Sequence, residues 1–278
     1  MSNNNPYLPP SSTDSAALPN ATPQRLADLP NRCSWGSGFS WIKEGGALFF
    51  KAPGYLFTTF IIYFVVIITI SMIPLVSILT QVFGPMLTAG LYYICMTLDT
   101  QDQRKYRFLF IGFQQKVKPL LALALIYILG IIAIVAVVGI TMALLVGVDQ
   151  LNADQLSRFS SPDAIANNPP DPILLVYFML AILMGVVLIL PLTMGIWFSP
   201  ALIMLNDLPA RQAFVTSFKG CSKNVGSLTV WGVGMLAITV VAMIPLGLGL
   251  LFLPAISLCS LYISYKAIFL KPSDDEPE

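Results

Sequence analysis

The chain has 278 residues, 56% of them hydrophobic and only 10% charged, with a formal net charge of +1 and a mean hydropathy of +0.78. That balance is far too apolar for a soluble globular domain and places the chain in a bilayer. No nucleic-acid partner is expected, and the absence of His removes the commonest general base and metal ligand.

Residues 1–35 come first, rich in Pro, Asn and Ser and without an apolar run. They are expected to be a disordered cytoplasmic segment containing no signal peptide, so that the first span itself directs insertion. The stretch "GFSWIKEGGALFFKAPG" follows, basic and amphipathic. Beyond it Asp, Glu, Lys and Arg are absent between Lys51 and Asp99, between Lys118 and Asp149, between Asp171 and Asp207, and between Lys223 and Lys266, gaps of 47, 30, 35 and 42 residues. One crossing takes about 20 apolar residues, so the first and last gaps each fit two helices and the others one each. The predicted spans are 55–77, 81–99, 119–146, 173–205, 226–247 and 250–269. Such long continuous runs specify an all-α, polytopic membrane helical bundle with six transmembrane helices rather than a barrel of short alternating strands. The bundle fills residues 36–271, and the closing residues 272–278 form a short acidic cytoplasmic tail.

Basic residues set the orientation. Of the 15 Lys and Arg, six spans put all on one side except Arg158, a bias that marks the cytoplasmic face. Both termini are then inside, and the acidic loop 148–171 is outside.

The chain also repeats itself. "MIPLVSILTQVFGP" (72–85), "ILPLTMGIWFSP" (189–200) and "MIPLGLGLLFLP" (243–254) share an aliphatic-Pro-Leu opening and a closing Pro, which suggests a pseudo-threefold helix-hairpin repeat. Pro lacks an amide donor and disfavours helix just before it. Pro74/Pro85 and Pro245/Pro254 are therefore expected to bracket outer turns, whereas Pro191 and Pro200 fall within one long, kinked fourth helix. Each unit begins with an amphipathic stretch. In "YRFLFIGFQQKVKP", Tyr106, Leu109, Phe110, Phe113 and Val117 share a helical face; in "ARQAFVTSFKGCSKNVG", Ala210, Ala213, Phe214, Ser217 and Cys221 do, with Asp207 as N-cap. All three stretches read as short interfacial helices lying apolar face down on the inner leaflet.

The first amphipathic stretch, the segment "FSPALIMLND" with "PARQAFVTSFKGCSKNVGSL" after it, and the closing "IPLGLGLLFLPAISLCSLYISYKAIF" together resemble an uncharacterised family of proteobacterial six-helix inner-membrane proteins over roughly residues 36–270. More distantly, the Pro-Ala, Asp and Ala-x-x-x-Ser-Phe order is similar to the membrane domain attached to some glycerophosphodiester phosphodiesterases. The resemblance implies a six-helix inner-membrane fold and no activity, cofactor or catalytic residue.

The chemical inventory agrees with that silence. Cys33, Cys95, Cys221 and Cys259 have no CxxC spacing and read as reduced packing thiols. A P-loop, a serine elbow and the mitochondrial-carrier signature are missing. Asp99 and Asp207, at the inner ends of the second and fourth spans, read as helix-end carboxylates. Tyr92, Tyr93, Trp197, Trp231, Tyr262 and Tyr265 read as belt or packing aromatics. What remains is the basic inner face. Arg104, Lys105, Arg107, Lys116 and Lys118, with Lys219 and Lys223 on the next loop, are candidate ligands for anionic lipid headgroups, although topology alone also demands such charges. The expectation is a non-enzymatic inner-membrane protein, without cofactor or metal, that acts through membrane lipids or partner membrane proteins. The alternative is a permease or channel for a small or lipidic solute. Reporter fusions at Lys271 and Ala164 should read cytoplasm and periplasm respectively; finding both on one side would refute six spans.

Overall fold

The computed structural model describes residues 26–72, 78–146, 163, 172–244 and 247–271. The expectations for the head before residue 26, for Pro74 and Pro245, for Arg158 and for the tail 272–278 lie outside the described residues. Those described are helical: α1 (Ser37–Lys51), α2 (Pro53–Ser71), α3 (Ile78–Gln101), a 3₁₀ segment (Tyr106–Phe113), α4 (Val117–Val146), α5 (Pro172–Trp197), α6 (Ser199–Asn206), α7 (Ala210–Lys223), α8 (Val225–Met243), a second 3₁₀ turn (Leu248–Leu251) and α9 (Leu253–Phe269).

Four segments are long and apolar enough to cross a membrane: Pro53–Ser71, Val117–Leu145, Pro172–Asn206 and Val225–Met243. The other two predicted spans coincide with α3 and α9. α3 has 24 residues, ample length, but is less apolar because it is surrounded by protein rather than lipid. From Met86 to Leu98 every residue except Thr88 and Met96 is buried. A helix so enclosed tolerates Gly90, Thr97 and Pro85, which a lipid-facing helix replaces with Leu, Ile or Val. α9 has 17 residues and is likewise enclosed, with Tyr262, Tyr265 and Ile268 fully buried.

The core gathers at one end of the bundle. The buried residues of α2 are Tyr55, Leu56, Thr59 and Phe60, all in its first half. Those at the start of α4 are Leu120, Leu123 and Ala124, and near the end of α5 come Leu192 and Gly195. Beyond that zone the helices present Ile68, Ile132, Val135, Ile140, Ile182 and Leu183 outward, an aliphatic surface suited to hydrocarbon.

Proline acts as expected in part. Pro254 opens α9, and Pro200 opens α6 after a break at Phe198, which gives the fourth segment its kink. Pro85 and Pro191 lie inside α3 and α5, so Pro85 does not begin the return helix. At the break, Ser217 on α7 inserts its hydroxyl into the opened helical bond: the Phe198 amide donates to Ser217 Oγ (3.1 Å), which donates to the Met194 carbonyl (2.7 Å). Residues 198 and 194 are an i and i−4 pair, so the hydroxyl satisfies both groups that the kink released.

The amphipathic stretches turn much of their apolar surface to the bundle and leave Phe39, Phe50, Tyr106, Phe110 and Phe218 exposed. α1 buries Gly38, Trp41, Gly45, Leu48 and Phe49. A Cβ on Gly38 would lie 2.5 Å from the Ser227 carbonyl of α8, and one on Gly45 2.5 Å from Ser260 Cα of α9. The second stretch is a 3₁₀ segment whose buried residues are Phe108, Leu109, Ile111 and Gly112; of the predicted face Leu109 is buried and Phe113 half-buried, while Tyr106, Phe110 and Val117 are exposed. With three residues per turn, a different set turns inward, and Gly90 of α3 lets the segment approach: a Cβ there would lie 2.6 Å from the Leu109 carbonyl carbon. The third stretch, α7, buries Ala210, Ala213, Ser217 and Cys221 as predicted, with Phe214 lying over Gly195 of α5. Asp207 is not its N-cap. It ends α6 in the left-handed region at φ 58, and Asp102 ends α3 in the same way at φ 47.

The third hairpin is not an even copy of the first. Cys259, Tyr262, Tyr265 and Lys266 of α9 all meet α3 within residues 92–99. The turn of that hairpin comes beside the start of α2, with Phe252 and Phe57 ring centroids 4.9 Å apart.

A matched pair tests the glycine contact. Gly45→Ala forces a methyl against the Ser260 backbone and should cost about 1–3 kcal/mol. Gly46→Ala meets nothing within 4 Å and should be neutral or stabilise by up to about 1 kcal/mol. Thermal unfolding in detergent reads both, and equal effects would contradict this packing of α1.

Candidate functional site

Asp99, at the last turn of α3, is the centre of the densely packed, charged end of the bundle. Its side chain is 18% exposed and accepts from Lys266 Nζ of α9 (2.7 Å) and from the Tyr262 hydroxyl (3.2 Å), with Lys51 Nζ of α1 at 3.7 Å. Lys266 also lies 5.7 Å over the Tyr262 ring. Four residues apart, Tyr262 and Lys266 lie on one face of α9 and reach the carboxylate together. One turn deeper, Tyr265 is buried against Tyr92 and donates to the side-chain carbonyl of Asn206 at the end of α6. Cys95 and Cys259 face each other across the same crossing as free thiols. Asp99 therefore joins α1, α3 and α9, a partnership between residues 167 positions apart that nothing in the local sequence announces.

The seven predicted headgroup residues divide between two roles. Arg104 pairs with Asp102 (3.1 Å) and reaches the Lys51 carbonyl (3.4 Å). Lys116 pairs with Asp207, which ties the start of α4 to the end of α6. Lys223 donates to the Pro30 carbonyl (2.7 Å). Lys105, Arg107, Lys118 and Lys219 are exposed and form no ion pair among the described residues. Lys105 and Arg107 both stand 5.8 Å from the Phe108 ring. Interleaved with these cations are the exposed rings of Tyr106, Phe110 and Phe218.

Composition assigned the head to disorder up to residue 35, yet from Leu26 onward it is strapped over the ends of α7, α8 and α9. The Ala27 amide donates to the Phe269 carbonyl (2.8 Å) and that of Asn31 to Ile268 (2.7 Å). Asn224, between α7 and α8, is buried: its Oδ1 accepts from the Cys33 amide (2.7 Å) and its Nδ2 donates to the Asn31 and Gly220 carbonyls. A polar chain segment is thus fixed through backbone hydrogen bonds, which side-chain composition does not encode.

Tyr92, Tyr262 and Tyr265 belong to this packed crossing. Trp197 and Trp231 meet edge to face at 6.3 Å, and Tyr93 packs on Phe108. Among the described residues no three Cys, Asp or Glu side chains converge as a metal set would.

Among curated proteins, the chain is similar to a probable inner membrane protein of Burkholderia thailandensis, with 25% identity over 260 residues that cover 84% of this chain and 91% of that one. No protein-family profile matches the chain, and no solved structure does. Among the described residues four segments are long and apolar enough to cross a bilayer, as a helical membrane protein requires.

The strap yields a prediction through its thiol. Burial raises the Cys33 thiol above its usual value and pushes that of Cys221 up to about 12. Less thiolate is then present at neutral pH, and reaction with maleimide accelerates only as pH climbs past the ordinary thiol range. In folded protein Cys33 should be the thiol that labels, slowly at pH 7, because Cys95, Cys221 and Cys259 are buried. Asn224→Ala should speed labelling several-fold by loosening the strap; an unchanged rate would show that Asn224 does not hold it.

Proposed function

We propose that this is a non-enzymatic, multi-pass inner-membrane protein whose basic inner face holds anionic lipid headgroups. Six helices cross in three hairpins, with both termini in the cytoplasm. Two connections support the count. α2 begins and α3 ends beside the same Lys51–Asp99 contact, so a crossing by α2 requires a return by α3. The start of α8 and the end of α9 both meet the strap, through Ser227 and Phe269, so a crossing by α8 would call for a return by α9. The matching left-handed Asp caps after α3 and α6 favour a repeated unit. A reporter at Leu248 should read periplasm; a cytoplasmic reading would confine the third hairpin to the inner leaflet.

The observation that carries the lipid reading is the set Lys105, Arg107, Lys118 and Lys219, exposed, without carboxylate partners among the described residues, and interleaved with outward aromatic rings. Structural cations on this face have partners, as Arg104, Lys116 and Lys223 do. Exposed cations beside rings suited to the headgroup zone fit an anionic membrane surface. A permease reading is disfavoured by the crossing of α3 and α9, whose interior is filled by Tyr92, Tyr262, Tyr265, Leu98 and Phe198, all fully buried.

Replacing those four cations by Gln removes up to about 4 kcal/mol of surface attraction, at ~1 kcal/mol each, while Arg104, Lys116 and Lys223 keep their structural contacts. Mass spectrometry of copurified lipid should show a marked fall in phosphatidylglycerol and cardiolipin relative to phosphatidylethanolamine. Unchanged enrichment would defeat the reading and shift weight to partner membrane proteins.

A further inference from the structure

α8 and α9 are held together at their turn, where a Cβ on Gly249 would stand 2.8 Å from Ala242 Cα, and farther along by α1, which sets Gly38 and Ile42 against α8 and Gly45 against α9. Beside these contacts the hairpin leaves a groove of about 380 Å³. Gly232, Met235, Leu236 and Thr239 of α8 form one wall, and Pro254 and Ser257 of α9 belong to the other. The four α8 residues follow the i, i+3, i+4, i+7 spacing of a single stripe, and Gly232 keeps its end of the groove clear, since a Cβ there meets nothing within 4 Å. α8 is long and apolar enough to cross a bilayer. Along its outer edge the groove runs into Val233, Leu236 and Val240, all exposed. One hydroxyl in it stands apart. Ser260 and Ser264 of α9 donate to carbonyls of their own helix (2.9 and 2.8 Å), and Thr239 donates to Met235 (2.8 Å). The Ser257 hydroxyl has no partner among the described residues, and in hydrocarbon such a group is costly until something accepts from it.

We propose that this groove holds one acyl chain of a membrane phospholipid, whose ester carbonyl accepts from the Ser257 hydroxyl. The occupant follows from continuity with the aliphatic face of α8: a chain already lying on Val233, Leu236 and Val240 enters the groove sideways without leaving hydrocarbon. The space lies at the small end of the range of about 300–1,000 Å³ typical of ligand pockets, which suits a single flexible chain, and Met235 supplies an adaptable wall. Apolar walls with one convergent polar group are what an ester-linked chain requires. No Lys or Arg lines the groove, so it selects the chain and its ester and is indifferent to the headgroup. The site is therefore separate from the basic face and stands or falls without it.

Native mass spectrometry of the full chain in detergent, titrated with phosphatidylethanolamine, whose headgroup has no net charge, tests this. Gly232→Leu fills the groove and should weaken the tightest binding event about tenfold or more. Gly139→Leu is the control: on α4 a Cβ likewise meets nothing within 4 Å, and binding should match wild type. Ser257→Ala should weaken the event about three- to tenfold, the worth of one hydrogen bond. The dialkyl ether analogue, which lacks ester carbonyls, should bind wild type as weakly as the ester lipid binds Ser257→Ala, and that variant should not tell the two lipids apart. Replacing Lys105, Arg107, Lys118 and Lys219 together by Gln should leave the event intact, which separates this site from the basic face. Wild-type binding by Gly232→Leu, or equal loss in Gly139→Leu, would overturn the proposal. Should Gly232→Leu fail to fold, Ser257→Ala with the ether analogue decides alone, and no difference between ester and ether on wild type would overturn it. A dimer that Gly232→Leu dissolves would assign the groove to a second copy of the chain instead.

Discussion

Burying most of a carboxylate where three helices meet constrains everything around it. Asp99 keeps its charge out of bulk water only because Lys266, Lys51 and the Tyr262 hydroxyl converge on it from two other helices. Removing either side of such a contact leaves an uncompensated charge at a crossing lined by tyrosines, which is far costlier than losing an exposed pair. The placement of α9 on α3 follows from this, because Tyr262 and Lys266 reach one oxygen together only when their face of α9 lies against the last turn of α3. The position of α1 follows too, since Lys51 has to end beside that turn.

Hydrocarbon gives helices no hydrophobic reason to associate, so the rest of the charged end relies on close backbone approach and on satisfied polar groups. Gly38 and Gly45 set α1 against α8 and α9, Gly90 admits the 3₁₀ segment, and Gly195 receives the Phe214 ring. Ser217 closes the gap in the kinked fourth segment, and Asn224 fastens the strap. The outer parts of α2, α4 and α5 lack this density and present aliphatic side chains instead. The molecule is therefore anchored by lipid along its helices and defined by protein contacts at its charged end, where its exposed cations also lie.

Membrane class and helix positions were legible in the sequence because charge exclusion is a strong local signal: the predicted limits at 119–146 and 173–205 fall within a few residues of α4 and of α5 with α6. Proline chemistry foretold a kink in the fourth segment but not its place: the helix breaks at Phe198, before Pro200, and runs through Pro191. Amphipathicity misled, since a buried face says nothing of what buries it; the Ala210–Cys221 face was right and its occupant was protein. Of the face predicted through Tyr106 only Leu109 and, in part, Phe113 turn inward, because a 3₁₀ turn does not follow the α-helical period. Asp99 was visible as a helix-end carboxylate, but its partners on α1 and α9 are far away in sequence, and in a single chain no local pattern reports them.

The coupling between Asp99 and Lys266 measures most directly whether the charged inner end and the packed core are one unit. In a double-mutant cycle of Asp99→Asn and Lys266→Gln, followed by thermal unfolding in detergent, each single change should destabilise. The double variant should then lose less than the sum by at least about 1 kcal/mol, as groups in direct contact do. Additive losses within error would contradict the account, because they would mean that the carboxylate and the ammonium hold their helices independently.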